Sequence, residues 1–587
     1  MNTWKRHGSL VLLSAGLAFF AAGCAPPPST ESGENDATSR QQAQQQNEPG
    51  TQAPVPAQLR EEAQLTVPAS RVRQDAELAR RTMQDAAPAM RSTEVSGSRP
   101  MPAVPEPMPF PHSTVVDREN YAAIDSNPIK RVVEEPVSTF SIDVDTGSYS
   151  NVRRMLNNGR LPPQDAVRVE EMINYFSYDY PLPEAGEAPF SVQVEQAVTP
   201  WNENTRLLQI GLQGYRPDPD SIPASNLVFL LDVSGSMNAP DKLPLLVNSM
   251  KMLTRELDED DRVAVVVYAG ASGVVLESTP GSEHATIAAA LDRLSAGGST
   301  NGGAGIELAY AQARQGFIEG GVNRVILATD GDFNVGTVNF DSLVDLVERQ
   351  RESGIALTTL GFGRGNYNDH LMEQLADAGN GNHAYIDTLN EARKVLVDEL
   401  TSTLLMIAQD VKIQIEFNPA VVAEYRLIGY ENRMLEREDF NNDRVDAGDI
   451  GAGHTVTALY EIALVGSGGE RIDGLRYGND QRATTIDGSS RELAFLRLRY
   501  KEPGEDSSRL IEQVVERGDT ELSERLAWAA SVAAFGQHLR GGQYLEGFGL
   551  GDIQALAQSA RGEDPFGYRA EFIQLLRLAE SQSLAKN

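Results

Sequence analysis

Asp232, Ser234 and Ser236 stand at alternate positions in the run Leu230-Leu231-Asp232-Val233-Ser234-Gly235-Ser236-Met237. In a turn, a carboxylate and two hydroxyls at this spacing converge three oxygens on one point. A hard cation such as Mg²⁺ takes oxygen ligands in a near-octahedral array. Two further oxygen sources fall where such a site needs them. Thr300 lies in Gly297-Gly298-Ser299-Thr300-Asn301-Gly302-Gly303, ahead of a helical pattern, and Asp330 follows the apolar run Ile326-Leu327-Ala328. The glycines let the loop backbone approach an ion closely. Hydroxyls that cap the turn and aspartates that cap helices are the simpler alternative, but capping does not explain why all five coincide. Asp332 is read as a loop carboxylate, and Asn301 as a group that hydrogen-bonds within its loop.

The elements that must hold these residues follow from hydrophobic patterning. Asp232 closes Leu227 to Leu231, a continuous apolar run of the kind buried on both faces of a sheet. Similar runs are Val263 to Tyr268, Arg324 to Ala328 and Ile355 to Gly361. Helical patterns lie between and after them, at Lys242 to Leu257, Ala285 to Leu294, Gly305 to Phe317, Asp341 to Ser353, Asn368 to Ala378 and Glu391 to Met406. Such alternation predicts a doubly wound α/β domain with a mostly parallel sheet. In open α/β sheets, ligands bind beyond the carboxyl ends of the strands, where Asp232 and Asp330 fall.

With these motifs in place, residues 226 to about 405 resemble a von Willebrand factor type A domain. Ser234, Ser236 and Thr300 match the hydroxyl positions of that family's metal-ion-dependent adhesion site, and Asp232 and Asp330 match its carboxylate positions. The resemblance implies a Mg²⁺ or similar divalent cation held by these five residues. It also implies a protein partner whose Glu or Asp completes the coordination shell. The flanks carry a second resemblance, to YfbK-like bacterial lipoproteins. Its residues are Phe140-Ser141-Ile142-Asp143-Val144-Asp145-Thr146 and Val169-Glu170-Glu171-Met172-Ile173-Asn174-Tyr175-Phe176 on one side of the α/β part. On the other are Glu438-Asp439-Phe440-Asn441-Asn442-Asp443 and the run Gly451 to Glu461.

The N-terminus has the pattern of an export signal. Lys5, Arg6 and His7 precede the apolar stretch Leu10 to Phe20, which ends in Ala21-Ala22-Gly23-Cys24. The segment resembles a bacterial lipobox, with Ala21 where Leu is usual, and this implies lipidation of Cys24, the single cysteine of the chain. No other run is apolar and long enough to span a bilayer, so the lipid is the expected membrane anchor. Residues 25–112 are rich in Pro, Gln, Ala and Ser and are read as a disordered tether with a root-mean-square span of about 50 Å. The net charge of -32 over 587 residues excludes nucleic acid as an expected partner, because phosphate binding needs basic patches.

The domain scheme is then a signal at 1–24, a tether at 25–112, a YfbK-like N-terminal region at 113–216, the type A domain at 217–405, and a β-sandwich with helices at 406–587. Chain ends of a compact domain often lie close together. The strand patterns at 190–213 are therefore expected to pair with those after 411, with the type A domain inserted between the two halves of one sandwich.

Other signals are weaker. Asp145-Thr146-Gly147-Ser148 spells an aspartic-protease signature, but that chemistry needs two facing carboxylates and there is no second copy. A turn with Ser148 capping a helix is the expectation. Asp439-Phe440-Asn441-Asn442-Asp443 begins like a calcium loop, yet Arg444 stands where Gly is needed and Ile450 where the bidentate Glu belongs. The histidines lack ligand spacing, and neither G-x-S-x-G nor a P-loop appears. The expected function is metal-dependent protein binding in the cell envelope rather than catalysis, on the outer membrane facing the periplasm if the cell is Gram-negative. The alternative is an envelope scaffold in which a metal only stabilises loops.

Overall fold

The computed structural model describes residues 119–586, apart from 185–187, 219–220, 332–339, 366, 477–490 and 519–520. Cys24, the export signal, the tether and Asp332 lie outside the described residues.

The chain begins with strands β1 (Lys130–Arg131) and β2 (Val137–Ser141), helices α1 (Gly147–Asn157) and α2 (Val169–Asn174), and a hairpin of β3 (Phe190–Thr199) and β4 (Asn202–Gly214). The middle part alternates. It runs β5 (Ser225–Asp232), α3 (Leu243–Thr254), β6 (Arg262–Tyr268), β7 (Ser272–Pro280), α4 (His284–Leu291) and α5 (Gly302–Gln315). It continues with β8 (Val322–Thr329), α6 (Phe340–Arg351), β9 (Ala356–Phe362), α7 (Asp369–Ala378) and β10 (His383–Ile386). Helices α8 (Leu389–Arg393) and α9 (Leu400–Leu404), joined by a π-helical turn, close it. The last part holds β11 (Met406–Phe417), β12 (Val422–Ile428), β13 (Gly448–Gly451), β14 (Thr455–Leu464), β15 (Glu492–Lys501) and β16 (Arg509–Glu516). Helices α10 (Glu524–Leu539), α11 (Leu550–Ser559) and α12 (Tyr568–Lys586) follow.

The α/β part is one six-stranded sheet in the order β10-β9-β8-β5-β6-β7. All its pairs are parallel except β6 with β7. Every residue of β5 is buried, because helices cover both faces. Leu227, Phe229 and Leu231 pack with Leu246 and Met250 on one side. Val228 and Leu230 pack with Ile306 and Tyr310 on the other. The period-two alternation of a strand thus feeds two separate cores. This is the doubly wound architecture the patterning predicts. The edge strands β7, half-exposed along its length, and β10, buried but only four residues long, carry no long apolar run and are not legible in the sequence.

The flanking segments build a second body together. One antiparallel sheet runs β1-β12-β14-β4-β3. Its central pairing joins the two sides of the α/β insertion, with Leu208 opposite Tyr460 and Gln213 opposite Thr455. In the second sheet, β11 is flanked on one side by β15 and on the other by β13 and then β2. The shared sandwich expected from the strand patterns is therefore present. Its core includes Phe140, Leu208, Ile210, Ile413, Ile415, Phe417, Tyr460, Ile462 and Leu496. The outer face of the first sheet is covered by α1, α2 and the C-terminal helices, with Tyr149, Met172, Phe176, Trp528, Phe535 and Phe572 in contact. That double coverage buries every residue of β14. No helix among the described residues is long and apolar enough to cross a membrane.

Candidate metal centre

Asp232 ends β5 and Asp330 directly follows β8. The two strands are parallel neighbours in register, Leu231 opposite Ala328, so both carboxylates emerge side by side at the carboxyl edge of the sheet. Both are fully buried. Asp232 Oδ1 accepts a hydrogen bond from the Ser234 backbone N–H (2.8 Å), which bends the chain back over the strand end. This turn brings the Ser234 and Ser236 hydroxyls to 3.0 Å from one another. Asp232 Oδ2 accepts from the Thr329 hydroxyl (2.9 Å) and the Tyr268 hydroxyl (3.3 Å). Val233 N–H donates to the Tyr268 carbonyl (3.0 Å), which fixes the turn to the end of β6.

The loop that carries Thr300 is laced to the same turn. Gly235 N–H donates to the Gly298 carbonyl (3.0 Å), and Gly297 N–H donates to the Val233 carbonyl (2.8 Å). Gly298 has φ +84°, a left-handed conformation that favours glycine. Thr300 is half-buried and Ser236 is exposed, whereas Ser234 is buried. The oxygen cluster is therefore closed at its carboxylate floor and open at its hydroxyl rim. Asn301 immediately precedes α5 and makes no side-chain cap.

Burial pushes the Asp232 carboxyl above the usual carboxylate range, and the neighbouring Asp330 charge adds to it. Hydrogen bonds from Ser234 and Thr329 oppose the rise. The Asp330 carboxylate is met by a buried cation, as Lys242 Nζ lies 2.8 Å from Asp330 Oδ2. Two hard carboxylates and a set of neutral hydroxyls around one opening suit an oxygen-seeking divalent ion. Lys242, Tyr268 and Thr329 are partners that sequence spacing does not reveal. Lys242 and Asp330 are 88 positions apart, and a lysine ahead of an apolar helix carries no mark of its destination.

A second charged cluster lies at the junction of the two bodies. Asp143, Glu171 and Glu373 bring carboxylate oxygens within 4.8 Å of one another. Two guanidiniums, Arg168 buried and Arg433 half-buried, already sit among them. Arg168 pairs with Glu171 and Asp369. Arg433 donates to Asp143 (3.1 Å), Glu373 (3.3 Å) and Asp377 (2.8 Å). The cluster is an ionic joint, with nothing besides its carboxylates to mark it as a metal site.

The Asp-Thr-Gly signature belongs to this joint. Asp145 Oδ1 accepts from the backbone N–H of His383, at the start of β10 (2.8 Å). The expectation for Ser148 needs correction. Helix α1 begins at Gly147 with Thr146 ahead of it and no side-chain cap. Ser148 lies inside the first turn, where its hydroxyl donates to the Ala166 carbonyl (2.8 Å) and accepts from Arg168 N–H (2.9 Å). The Asp439 loop is filled by lysines, with Lys412 Nζ donating to the Asn442 carbonyl (2.7 Å) and Lys501 Nζ to the Asp443 carbonyl (2.7 Å). Ammonium groups thus engage the loop carbonyl oxygens that a bound cation would otherwise draw on.

Comparison with known proteins matches three segments to family models. Residues 115–209 match "von Willebrand factor", 226–399 match "von Willebrand factor type A domain", and 402–582 match "Uncharacterized protein YfbK, C-terminal". "Uncharacterized protein YfbK" of Escherichia coli (strain K12) is 52% identical over 466 residues, covering 78% of this chain and 81% of the relative. "Uncharacterized protein sll0103" of Synechocystis sp. is 31% identical over 187 residues, covering 32% of this chain and 43% of that protein. Among solved structures, a von Willebrand factor type A protein from Catenulispora acidiphila covers 67% of this chain and 91% of its own, at 15% identity and a TM-score of 0.38. BatB from Bacteroides thetaiotaomicron covers 30% of this chain and 97% of its own, at 24% identity and a TM-score of 0.26. Type A domains generally serve as interaction modules and commonly bind a divalent metal. The chain belongs to the YfbK family, and its α/β part is a von Willebrand factor type A domain.

Proposed function

We propose that this chain is an exported lipoprotein that binds another protein through a Mg²⁺-dependent adhesion site. Asp232, Ser234, Ser236, Thr300 and Asp330 are the residues that would hold the ion, and Cys24 would carry the lipid. The observation that supports this reading best is the pairing of two buried carboxylates with a hydroxyl rim that opens to solvent. When bound, the ion supplies a Lewis-acidic point to which a partner's Glu or Asp can attach. That route lets a chain of net charge -32 recognise an acidic group that it would otherwise repel. The tether would hold the folded part away from the membrane. Ala25 after the lipidated cysteine, rather than Asp, resembles outer-membrane sorting.

One observation favours a scaffold reading instead. Thr329, Tyr268 and Lys242 already satisfy the carboxylates from within the domain, so on this reading a metal serves only to stiffen the loops. Substitution Asp232→Ala separates the two. On the adhesion reading, the variant keeps its fold by circular dichroism but loses both Mg²⁺ binding by calorimetry and Mg²⁺-dependent partner capture from envelope extract. Capture that survives the substitution and the removal of Mg²⁺ rejects that reading.

A further inference from the structure

Lys242 is the residue at this centre that a metal-binding role does not require. Its ammonium lies 2.8 Å from Asp330 Oδ2, its side chain is 7% exposed, and Asp330 is fully buried. The stem is enclosed as well as the head. Gly363, at φ +72°, leaves room for it, because a Cβ at that position would overlap Cγ, Cδ and Cε of Lys242. Tyr385 donates to the Gly363 carbonyl and holds that turn in place. Lys242 also sits one residue ahead of α3, so its backbone is fixed by the helix. A lysine seated in this way cannot swing out to water as a surface lysine does.

Resting on the metal reading above, we infer that Lys242 is a built-in counter-cation that makes divalent-ion binding depend on an acidic co-ligand. The argument is electrostatic. Among the described residues, Asp232 and Asp330 bring two negative charges and Lys242 one positive, so this set is short of one positive charge when no ion is bound. A divalent ion over-compensates and leaves an excess of one positive charge in a buried place. A single carboxylate from outside restores neutrality. Lys242 therefore weakens the ion's hold when no acidic ligand is present and strengthens the demand for one when the ion is bound. Neutral ligands gain nothing from it. Lys242 acts here as a positioning and specificity residue, since it selects the charge of the partner.

The test uses the full-length chain, with Mg²⁺ and acetate as the probes. Mg²⁺ affinity is measured by calorimetry with and without acetate, for wild type, Lys242→Met and Lys242→Gln. Removing one unit charge at this range is expected to tighten Mg²⁺ binding without acetate by about tenfold or more. Acetate should improve Mg²⁺ affinity in wild type, and that improvement should disappear in both variants. Mg²⁺ should also raise the melting temperature of each variant by more than it raises that of wild type. Two variants guard against a substitution that disturbs the fold, which circular dichroism checks. Folded variants that bind Mg²⁺ no more tightly than wild type, or that keep the acetate effect, overturn the inference while the metal reading stands. Absence of Mg²⁺ binding in all three proteins overturns the metal reading and the inference with it.

Discussion

A guanidinium beside a buried carboxylate opposes the effect of burial but does not always overcome it: Glu171, paired with Arg168, is still pushed up to about 7. Arg168 holds the Asp369 carboxyl far below the usual range against the opposing effect of burial. Among the described residues, Glu170 has no such partner. Its Oε2 accepts only from the Tyr430 backbone N–H (3.0 Å), and its Oε1 is buried without a hydrogen bond. Burial, together with the charges of Glu431, Asp143 and Glu171, pushes it up to about 8. The folded state therefore binds a proton that the unfolded state releases at ordinary acidic pH. The stability this proton contributes is complete below the unfolded value and is lost as pH rises towards 8. Substitution Glu170→Gln keeps an acceptor for Tyr430 and removes the titration. The melting temperature of the variant relative to wild type should climb between pH 5 and pH 8 and level off above. Calorimetric melts across that range check this, and a difference that stays flat with pH counts against it.

At the scale of elements, the helices that cover the first sheet of the sandwich depend on one aromatic cluster. Trp528 of α10 meets Phe176 edge-on at 5.2 Å and Phe572 of α12 at 5.3 Å between ring centroids. Phe176 follows α2, so this cluster joins helices from the two ends of the folded chain. It also lies against Ile428 and Leu459, which face outward from the sheet. Trp528→Ala should cost about 3–5 kcal/mol in urea unfolding, the range for deleting a large buried aromatic. Its Mg²⁺ binding at low temperature should be unchanged, because the cluster does not touch the type A sheet. The opposite edge of that sheet is held differently. Arg153 of α1 pairs with Asp387 and Glu391 beyond β10, and Lys394 stacks over the Tyr175 ring at 4.4 Å.

For the molecule as a whole, the decisive feature is that neither flank is a complete folding unit. Strand β2 finds its ladder partner in β11, and β4 in β14, so the sandwich closes only when both ends of the chain are present. A fragment spanning 113–405 should fold its type A part and leave residues before 216 sensitive to protease. Adding a fragment of 406–587 during refolding should restore protection. Equal protease resistance of the 113–216 segment with and without the second fragment would contradict this. The ionic joint of Arg168 and Arg433 then sets the type A domain against the closed sandwich. Buried ion pairs are weak contributors to net stability, but here their many partners specify one orientation.

How far the chain could be read from its residues varies with the range of the interaction. The strand-end places of Asp232 and Asp330 and the place of Thr300 ahead of a helix are legible because each sits at a local punctuation point: an apolar run ending in Asp, or a glycine loop before a helix. The parallel sheet was legible for the same reason, since doubly covered strands lack the polar alternation of exposed ones. Strands β7 and β10 are not legible because an edge strand needs no long apolar run, and the start of the helix at Gly147 rests on a single turn, which puts Ser148 inside the helix and not at its cap. Lys242 on Asp330, Arg433 among the carboxylates of two bodies, and Asp145 on His383 were not legible at all. Each joins groups far apart in sequence, and a charged side chain looks alike to its neighbours whether it ends in water or in a buried pair. Local patterning thus placed the candidate oxygen set at the strand ends and loops, while only long-range packing chose the counter-charges that surround it.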